Sequence, residues 1–86
     1  MKIKELKKII KNKILDEVEL EELEIIDETN KHIKHANHTL GKYHLKIIIK
    51  SIKLLDQNRL KNSKLIFKII ENELKNYIHS IQLKIN

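Results

Sequence analysis

Histidines are the residues of this sequence whose type and spacing could do chemistry. Four of the five fall within thirteen positions, and the fifth lies near the end of the chain: His32, His35, His38, His44 and His79. Neutral imidazole is a common ligand of zinc and nickel, so the first four could form a metal site. The segment 30–43 offers no carboxylate or thiolate to complete one, and histidines in a polar loop are usually solvated. A closed metal site built by this chain alone is therefore the less favoured interpretation.

The remaining reactive groups do not form a catalytic set. The sequence contains no nucleophile elbow, no glycine-rich phosphate loop and no pair of acidic residues at catalytic spacing. Ser51, Ser63 and Ser80 have no recognisable triad around them. Because the chain has no cysteine, a disulfide is excluded, and a thiolate metal ligand would have to come from a partner. We therefore do not expect an enzyme.

The charge of the chain is segregated along the sequence. Its 86 residues carry a net charge of +6, yet residues 16–28 contain eight acids and no base and lie between two basic segments. Aromatic residues are scarce, with one Phe, two Tyr and no Trp, so the chain offers few platforms for stacking on bases. Solvated faces that keep a small domain soluble explain this distribution better than a polyanion site. We therefore expect only weak binding to nucleic acid.

The sequence gives no sign of a membrane segment. No stretch approaches the roughly 20 apolar residues of a membrane span, and residues 1–15 form a charged amphipathic pattern, not the apolar block of a signal peptide. A basic amphipathic helix can lie on a membrane surface, but the narrow apolar stripe here favours packing against a sheet. We expect a cytoplasmic protein.

A small sheet must position the histidines. The strongest strand pattern is the segment 44–52, in which two sets of side chains alternate: Leu45, Ile47 and Ile49 against Lys46, Ile48 and Lys50. A single apolar face indicates an antiparallel or mixed sheet that is covered by helices on one side. Apolar periodicity predicts the other elements in the order helix 2–15, strand 23–29, helix 59–77 and strand 78–85. We expect one domain over residues 1–86, an α-β-β-α-β open sandwich of the α+β class with a three-stranded sheet.

The second helix is expected to make the main core contact. It should begin at Gln57 or Asn58, after a turn at 54–57, and Glu71 and Glu73 should lie on its surface. Its apolar stripe contains Leu60, Ile66, Phe67, Ile69, Ile70 and Leu74. In the last strand, the alternation places His79 on the apolar face, where a histidine is more often a semi-buried structural residue than a ligand.

From Leu23 onward the chain resembles the BolA family, and the resemblance runs through nearly all of residues 20–85. Four segments carry it in the family's order: LEIIDETNKHIKHAN, which is similar to its first strand and loop; YHLKIIIKS, to its second strand; RLKNSKLIFKIIENEL, to its helix; and IHSIQL, to the strand that opens with its hallmark histidine. The resemblance implies the BolA-like fold, which is similar to a class II KH domain. The single Gly41 cannot supply the paired-glycine loop with which KH domains clamp a nucleic-acid backbone.

The resemblance also implies a partner and a cofactor. BolA-like domains are partners of monothiol glutaredoxins, with which they form heterodimers that can share a bridging two-iron, two-sulfur (2Fe-2S) cluster. By position, His79 matches the hallmark cluster ligand and His35 the loop ligand, with His38 and His32 as nearby alternatives. The partner's cysteine and glutathione would supply the thiolates. The implied function is an adaptor, monomeric when alone, in iron-sulfur assembly and trafficking or in iron and redox signalling.

A small nucleic-acid-binding transcriptional regulator is the alternative, because family members have reported roles in transcription. The sequence departs from the family pattern at the positions that matter most for nucleic-acid binding. Leu54 and Asp56 stand where the family usually has an aromatic residue and a glycine, and Asn62 and Ser63 stand where it usually has an Arg-His pair. The adaptor is therefore the favoured hypothesis.

Overall fold

The computed structural model describes residues 1–32 and 42–86. Within these residues the elements follow the order α1 Ile3–Glu17, β1 Glu22–Asp27, α2 Thr29–His32, β2 Tyr43–Lys50, α3 Ile52–Leu55, α4 Arg59–Ile69, α5 Glu71–Tyr77 and β3 Ile78–Ile85. The predicted α+β order of helix, two strands, helix and strand is confirmed, with α2 and α3 as short additions and the second long helix divided in two. Among the helices described, none has the length and apolar character needed to cross a membrane.

The three strands form one mixed sheet with β2 in its centre. β1 pairs with β2 in antiparallel orientation and β3 pairs with β2 in parallel, so the strand order is β1-β2-β3. A parallel pair needs a crossover connection, which helices α3, α4 and α5 provide here. The central strand sets the register of both neighbours: Ile47 lies opposite Ile25 of β1 and Leu83 of β3.

The core lies on one face of this sheet. Alternation turns one set of β2 side chains toward the helices, and each of them is at most 2% exposed: Leu45, Ile47 and Ile49. The helical side contributes fully buried side chains: Leu6, Ile10 and Ile14 from α1, Ile66 from α4, and Ile70 between α4 and α5. Burying each such side chain contributes about 1.5 to 3 kcal/mol. The predicted packing of the amphipathic first helix on one side of the sheet is confirmed.

The helix predicted over 59–77 is interrupted at Ile70. The backbone of this residue, with φ −106° and ψ 23°, leaves the helical region, so α4 ends before it and α5 begins after it. The buried stripe of the two helices runs through positions four apart, Asn62, Ile66 and Ile70. Four residues of the predicted stripe are confirmed in or against the core: Ile66 and Ile70 are fully buried, and Ile69 and Leu74 pack on the core cluster.

Two residues of the predicted stripe lie outside the core. Leu60 is 63% exposed, and Phe67 is half-buried but is not packed against the core cluster, so their assignment to the core is wrong. The Asn62 side chain explains why Leu60 faces outward, because its Nδ2 donates to the Leu54 carbonyl at 2.7 Å and holds the Asn62 side of α4 against the core. The polar residue Asn62 thus occupies a core position of α4, although the apolar pattern predicts Leu60 there.

The prediction that Glu73 lies on the solvent face is also wrong. Glu73 continues the inward stripe three residues after Ile70, and it is 3% exposed. Lys13 of α1 contacts it, with Nζ at 2.8 and 3.0 Å from the two carboxylate oxygens. The Lys13 side chain is 41% exposed, so this ion pair joins α1 to α5 at the edge of the core.

Ser51 ends the central strand two residues earlier than predicted. β2 stops at Lys50, and the Ser51 hydroxyl accepts a hydrogen bond from the Leu54 N–H at 3.1 Å, which caps α3. The same hydroxyl donates to the Glu19 carbonyl at 2.8 Å. The segment that was expected to extend the strand is therefore a capped helical turn.

Side-chain caps set two further boundaries. Asp27 Oδ1 accepts hydrogen bonds from the backbone N–H and the hydroxyl of Thr29, so β1 ends at Asp27 and the predicted strand 23–29 is too long. Asn58 Oδ1 accepts from the Leu60 N–H at 2.8 Å and caps α4, in agreement with the predicted start of that helix.

Candidate metal-ligand site

His79 lies at an irregularity in the pairing of β2 with β3. Tyr43 lies opposite Ile78 and His44 lies opposite Ser80, so His79 is an extra residue on β3 between two paired positions. A bulge of this kind changes the direction of the side chain that it carries. His79 is exposed. The prediction that it lies on the apolar face of β3 is wrong, because the bulge interrupts the alternation on which that prediction depends.

His44 is held in place through its backbone and its ring. It is 5% exposed. Its backbone N–H donates to Thr29 Oγ1 at 3.2 Å, and its carbonyl accepts from the Glu28 N–H at 2.7 Å. Its ring Nδ1 lies 2.7 Å from Ser80 Oγ. Backbone contacts with Glu28 and Thr29 thus fix the position of this imidazole, and the contact with Ser80 fixes its rotation.

The imidazole rings of His44 and His79 are neighbours. Their centroids are 4.9 Å apart and their planes are inclined at 55°. Each nitrogen that ligates a metal lies about 2.1 Å from it, so two nitrogens on one ion are at most roughly 4 Å apart. Rings at the observed separation can supply that spacing. When Nδ1 of His44 donates to Ser80, the ligating lone pair of the ring is on its Nε2, an atom that is buried in this structure.

The pair provides an incomplete ligand set. Across residues 1–32 and 42–86 no three His, Cys, Asp or Glu side chains lie close enough together to hold a metal ion. Within that part of the chain the two imidazoles can therefore offer two ligands and no more. A site at His79 needs further ligands from the segment 33–41, from a partner chain or from a small thiol.

The structure places the predicted site residues unequally. His79 is described in full, and it lies beside a histidine that the sequence analysis counted in the cluster but did not assign as a ligand, His44. His35 and His38 lie outside the described residues, as does the side chain of His32, which ends α2. The pairing of His44 with His79 could have been inferred only from the strand register, and the bulge at His79 is not visible in the sequence.

The sequence and the fold of this chain are similar to those of known proteins. A family model described as BolA-like protein matches residues 14–86. The fold is similar to that of the BolA domain of SufE1 from Arabidopsis thaliana, with a TM-score of 0.75 and 23% identity over 100% of this chain and 93% of the other. It is also similar to BolA1 from Arabidopsis thaliana, with a TM-score of 0.76 and 21% identity over 93% of this chain and 88% of the other.

A mammalian structure shares the fold as well. BolA1 from Mus musculus gives a TM-score of 0.73 and 19% identity over 92% of this chain and 62% of the other. No curated protein matches the sequence. At these identities the solved structures establish the fold alone, whereas the family model covers most of the chain.

Proposed function

Because the chain belongs to the BolA-like protein family, we propose that it is a non-enzymatic adaptor that binds a monothiol glutaredoxin and shares a bridging 2Fe-2S cluster with it. The adaptor acts in the cytoplasm, in iron-sulfur cluster assembly and trafficking or in iron and redox signalling. The chain supplies imidazole ligands and a surface for the partner.

The observation that carries this proposal is the exposed His79 beside the fixed ring of His44. A ligand to a cluster shared between two proteins must be accessible from outside the fold, and His79 is exposed. It must also be rigid, and the backbone of His79 is held between two paired positions of a β-ladder, Tyr43 with Ile78 and His44 with Ser80. Both conditions are met at one position.

His79 is the first ligand of the proposed cluster, and the second ligand comes either from the segment 32–38 or from His44. His35 is favoured by its position in the family pattern, and His38 and His32 are its neighbours in the same segment. His44 is favoured by proximity, since its ring lies 4.9 Å from that of His79. In the first case His44 acts as a positioning residue that holds the ring of His79.

The ligand chemistry agrees with a cluster that is completed by a partner. A 2Fe-2S cluster bound at this site would have one iron on which two imidazoles take the place of two thiolates. That arrangement raises the reduction potential of the cluster. This chain has no cysteine, so it can provide only the imidazole half. The cysteine of the glutaredoxin and glutathione provide the thiolate half.

Reconstitution with a partner tests the proposal. The protein is mixed with a monothiol glutaredoxin and glutathione, with and without iron and sulfide, and the mixtures are followed by size-exclusion chromatography and by visible absorption and circular dichroism. We expect a heterodimer in both cases, and visible bands that differ from those of the glutaredoxin alone only when iron and sulfide are present. A protein that neither co-elutes with the glutaredoxin nor changes its spectrum contradicts the proposal.

A further inference from the structure

The face formed by α3, the start of α4 and the end of β3 carries an open groove of about 330 Å³. Its lining combines aliphatic and polar side chains, among them Leu54, Leu55, Arg59, Asn62, Leu83 and Ile85. Ile85 lies six residues after His79 on β3, a distance of roughly 20 Å along an extended strand. The groove is therefore separate from the histidine pair.

The two helices that border this groove carry most of the exposed large apolar side chains of the described residues. Six large apolar residues are exposed in the described part of the chain, and four of them lie in α3 and α4: Ile52 at 74%, Leu55 at 59%, Leu60 at 63% and Leu65 at 37%. Leu60 points outward because Asn62 and Ile66 face the core. Of these four residues Leu55 lines the groove, so its exposed side chain belongs to the candidate docking surface.

The walls of the groove are held in place before any partner binds. Asn62 Nδ2 donates to the Leu54 carbonyl at 2.7 Å and ties α4 to α3. Ser51 caps α3 and Asn58 caps α4 through their side chains. A preformed groove loses little conformational freedom on binding, which favours affinity for a short segment.

The lining of the groove contains one charged side chain, that of Arg59, and it is exposed. Four basic side chains in the same two helices are exposed, Lys53, Arg59, Lys61 and Lys64, against a single acid in residues 51–65, Asp56. Two acids of the segment 16–28 lie against α3: Glu19 is 3.9 Å from Lys53, and Glu21 Oε1 accepts from the Ile52 N–H at 2.9 Å. Both acids approach α3, so the positive charge that a partner meets in the groove is that of Arg59.

We propose that this groove docks a segment of another protein that combines acidic and aliphatic residues. Leucine or isoleucine side chains of the segment fit against the aliphatic part of the lining, and a carboxylate of the segment pairs with Arg59. Nucleic acid fits less well, because none of the described residues that line the groove is aromatic, whereas single strands bind through stacking platforms. The groove would let the adaptor hold a second protein while His79 faces the glutaredoxin.

Peptide selection tests this proposal. A phage-displayed library of random dodecapeptides is panned on the immobilised protein, and enriched peptides are measured by fluorescence polarisation against the wild type, Leu55→Ser, Arg59→Glu and the control Lys75→Glu, which makes the same charge change on α5. All three residues are exposed, so the variants should fold. We expect peptides that join Asp or Glu with Leu or Ile, an affinity loss of about tenfold or more in both groove variants, and a loss below about twofold in the control.

Four results would overturn the proposal. They are no enrichment above background, enriched peptides without acidic residues, affinity that the two groove variants leave unchanged, and affinity that Lys75→Glu lowers as much as they do. Two parallel measurements identify a different occupant. Binding of a short DNA duplex that Arg59→Glu abolishes, without peptide enrichment, would assign the groove to nucleic acid, and self-association that Leu55→Ser abolishes would assign it to a second copy of the chain.

Discussion

His44 and His79 lie ring to ring, with centroids 4.9 Å apart, although they belong to two different strands. The parallel pairing of β2 with β3 explains the contact, because parallel strands begin at the same end of a sheet. The bulge then turns His79 toward His44, which Ser80 fixes at Nδ1. His44, His79 and Ser80, which lie near the starts of two neighbouring strands, thus form the one place in the described structure where two imidazole rings are in contact.

Ser80 should affect a bound cluster through His44. Ser80→Ala removes the hydroxyl that lies 2.7 Å from His44 Nδ1, and loss of such a supporting bond costs about tenfold or more in metal affinity. We expect the lifetime of the reconstituted cluster to shorten by that factor, as measured by the decay of visible absorption. Gln82→Ala, on the same face of β3, is the control. Equal lifetimes for both variants would show that Ser80 has no role at the site.

The buried side chains of Ile66 and Ile70 should contribute measurably to the stability of the fold. Ile66→Ala and Ile70→Ala each remove a fully buried side chain, and we expect each to lower the free energy of unfolding by about 2 to 5 kcal/mol in urea denaturation. Leu60→Ala is the matched control, because Leu60 is 63% exposed, and its cost should stay within about 0.5 kcal/mol. A larger loss at Leu60 than at Ile66 would mean that α4 packs through its other face.

The sheet and the first helix could be predicted from the sequence because their periodicities are simple. Leu45, Ile47 and Ile49 alternate without interruption, and the apolar residues of α1 recur at three and four positions. A single apolar face then requires a two-layer arrangement. The α+β open sandwich follows from these two patterns.

The details of the site could not be predicted, because contacts distant in sequence determine them. Ile70 continues a helical pattern, and nothing near it signals the break between α4 and α5. Glu73 is buried because Lys13, from the other end of the chain, neutralises it. His79 leaves its predicted face because β3 gains one residue relative to β2, and that shift belongs to the pairing of two strands and not to either alone.

Removing one partner of the Lys13–Glu73 ion pair should lower the stability of the fold. Lys13→Met leaves the carboxylate of Glu73 buried without its cation. We expect a loss of about 2 kcal/mol, between the values of exposed and fully buried pairs, because Lys13 is partly exposed. The double variant Lys13→Met with Glu73→Leu should recover most of it, since an apolar pair needs no compensation. A double variant as unstable in urea as Lys13→Met alone would show that the ion pair is not the cause.

Binding to nucleic acid should be weak and without sequence preference. The exposed bases of α3 and α4 are offset by the acidic segment 16–28, and stacking aromatics are scarce. We expect any retention of a DNA duplex in a mobility-shift assay to disappear near physiological salt. Retention at that salt, with a strong preference over a scrambled duplex, would instead support the transcriptional regulator.

The central claim is that the shared cluster depends on His79, and His79→Ala tests it most directly. His79 is exposed, so its replacement should leave the fold intact. His35→Ala is the comparison, because the segment around His35 contains other histidines that can replace it. The decisive measurement is visible absorption and circular dichroism of the glutaredoxin heterodimer after reconstitution with iron and sulfide, followed over time. We expect His79→Ala to keep its fold and its cluster-free heterodimer but to lose the cluster bands, and His35→Ala to alter them more mildly. A wild-type spectrum and lifetime in His79→Ala would contradict the ligand assignment.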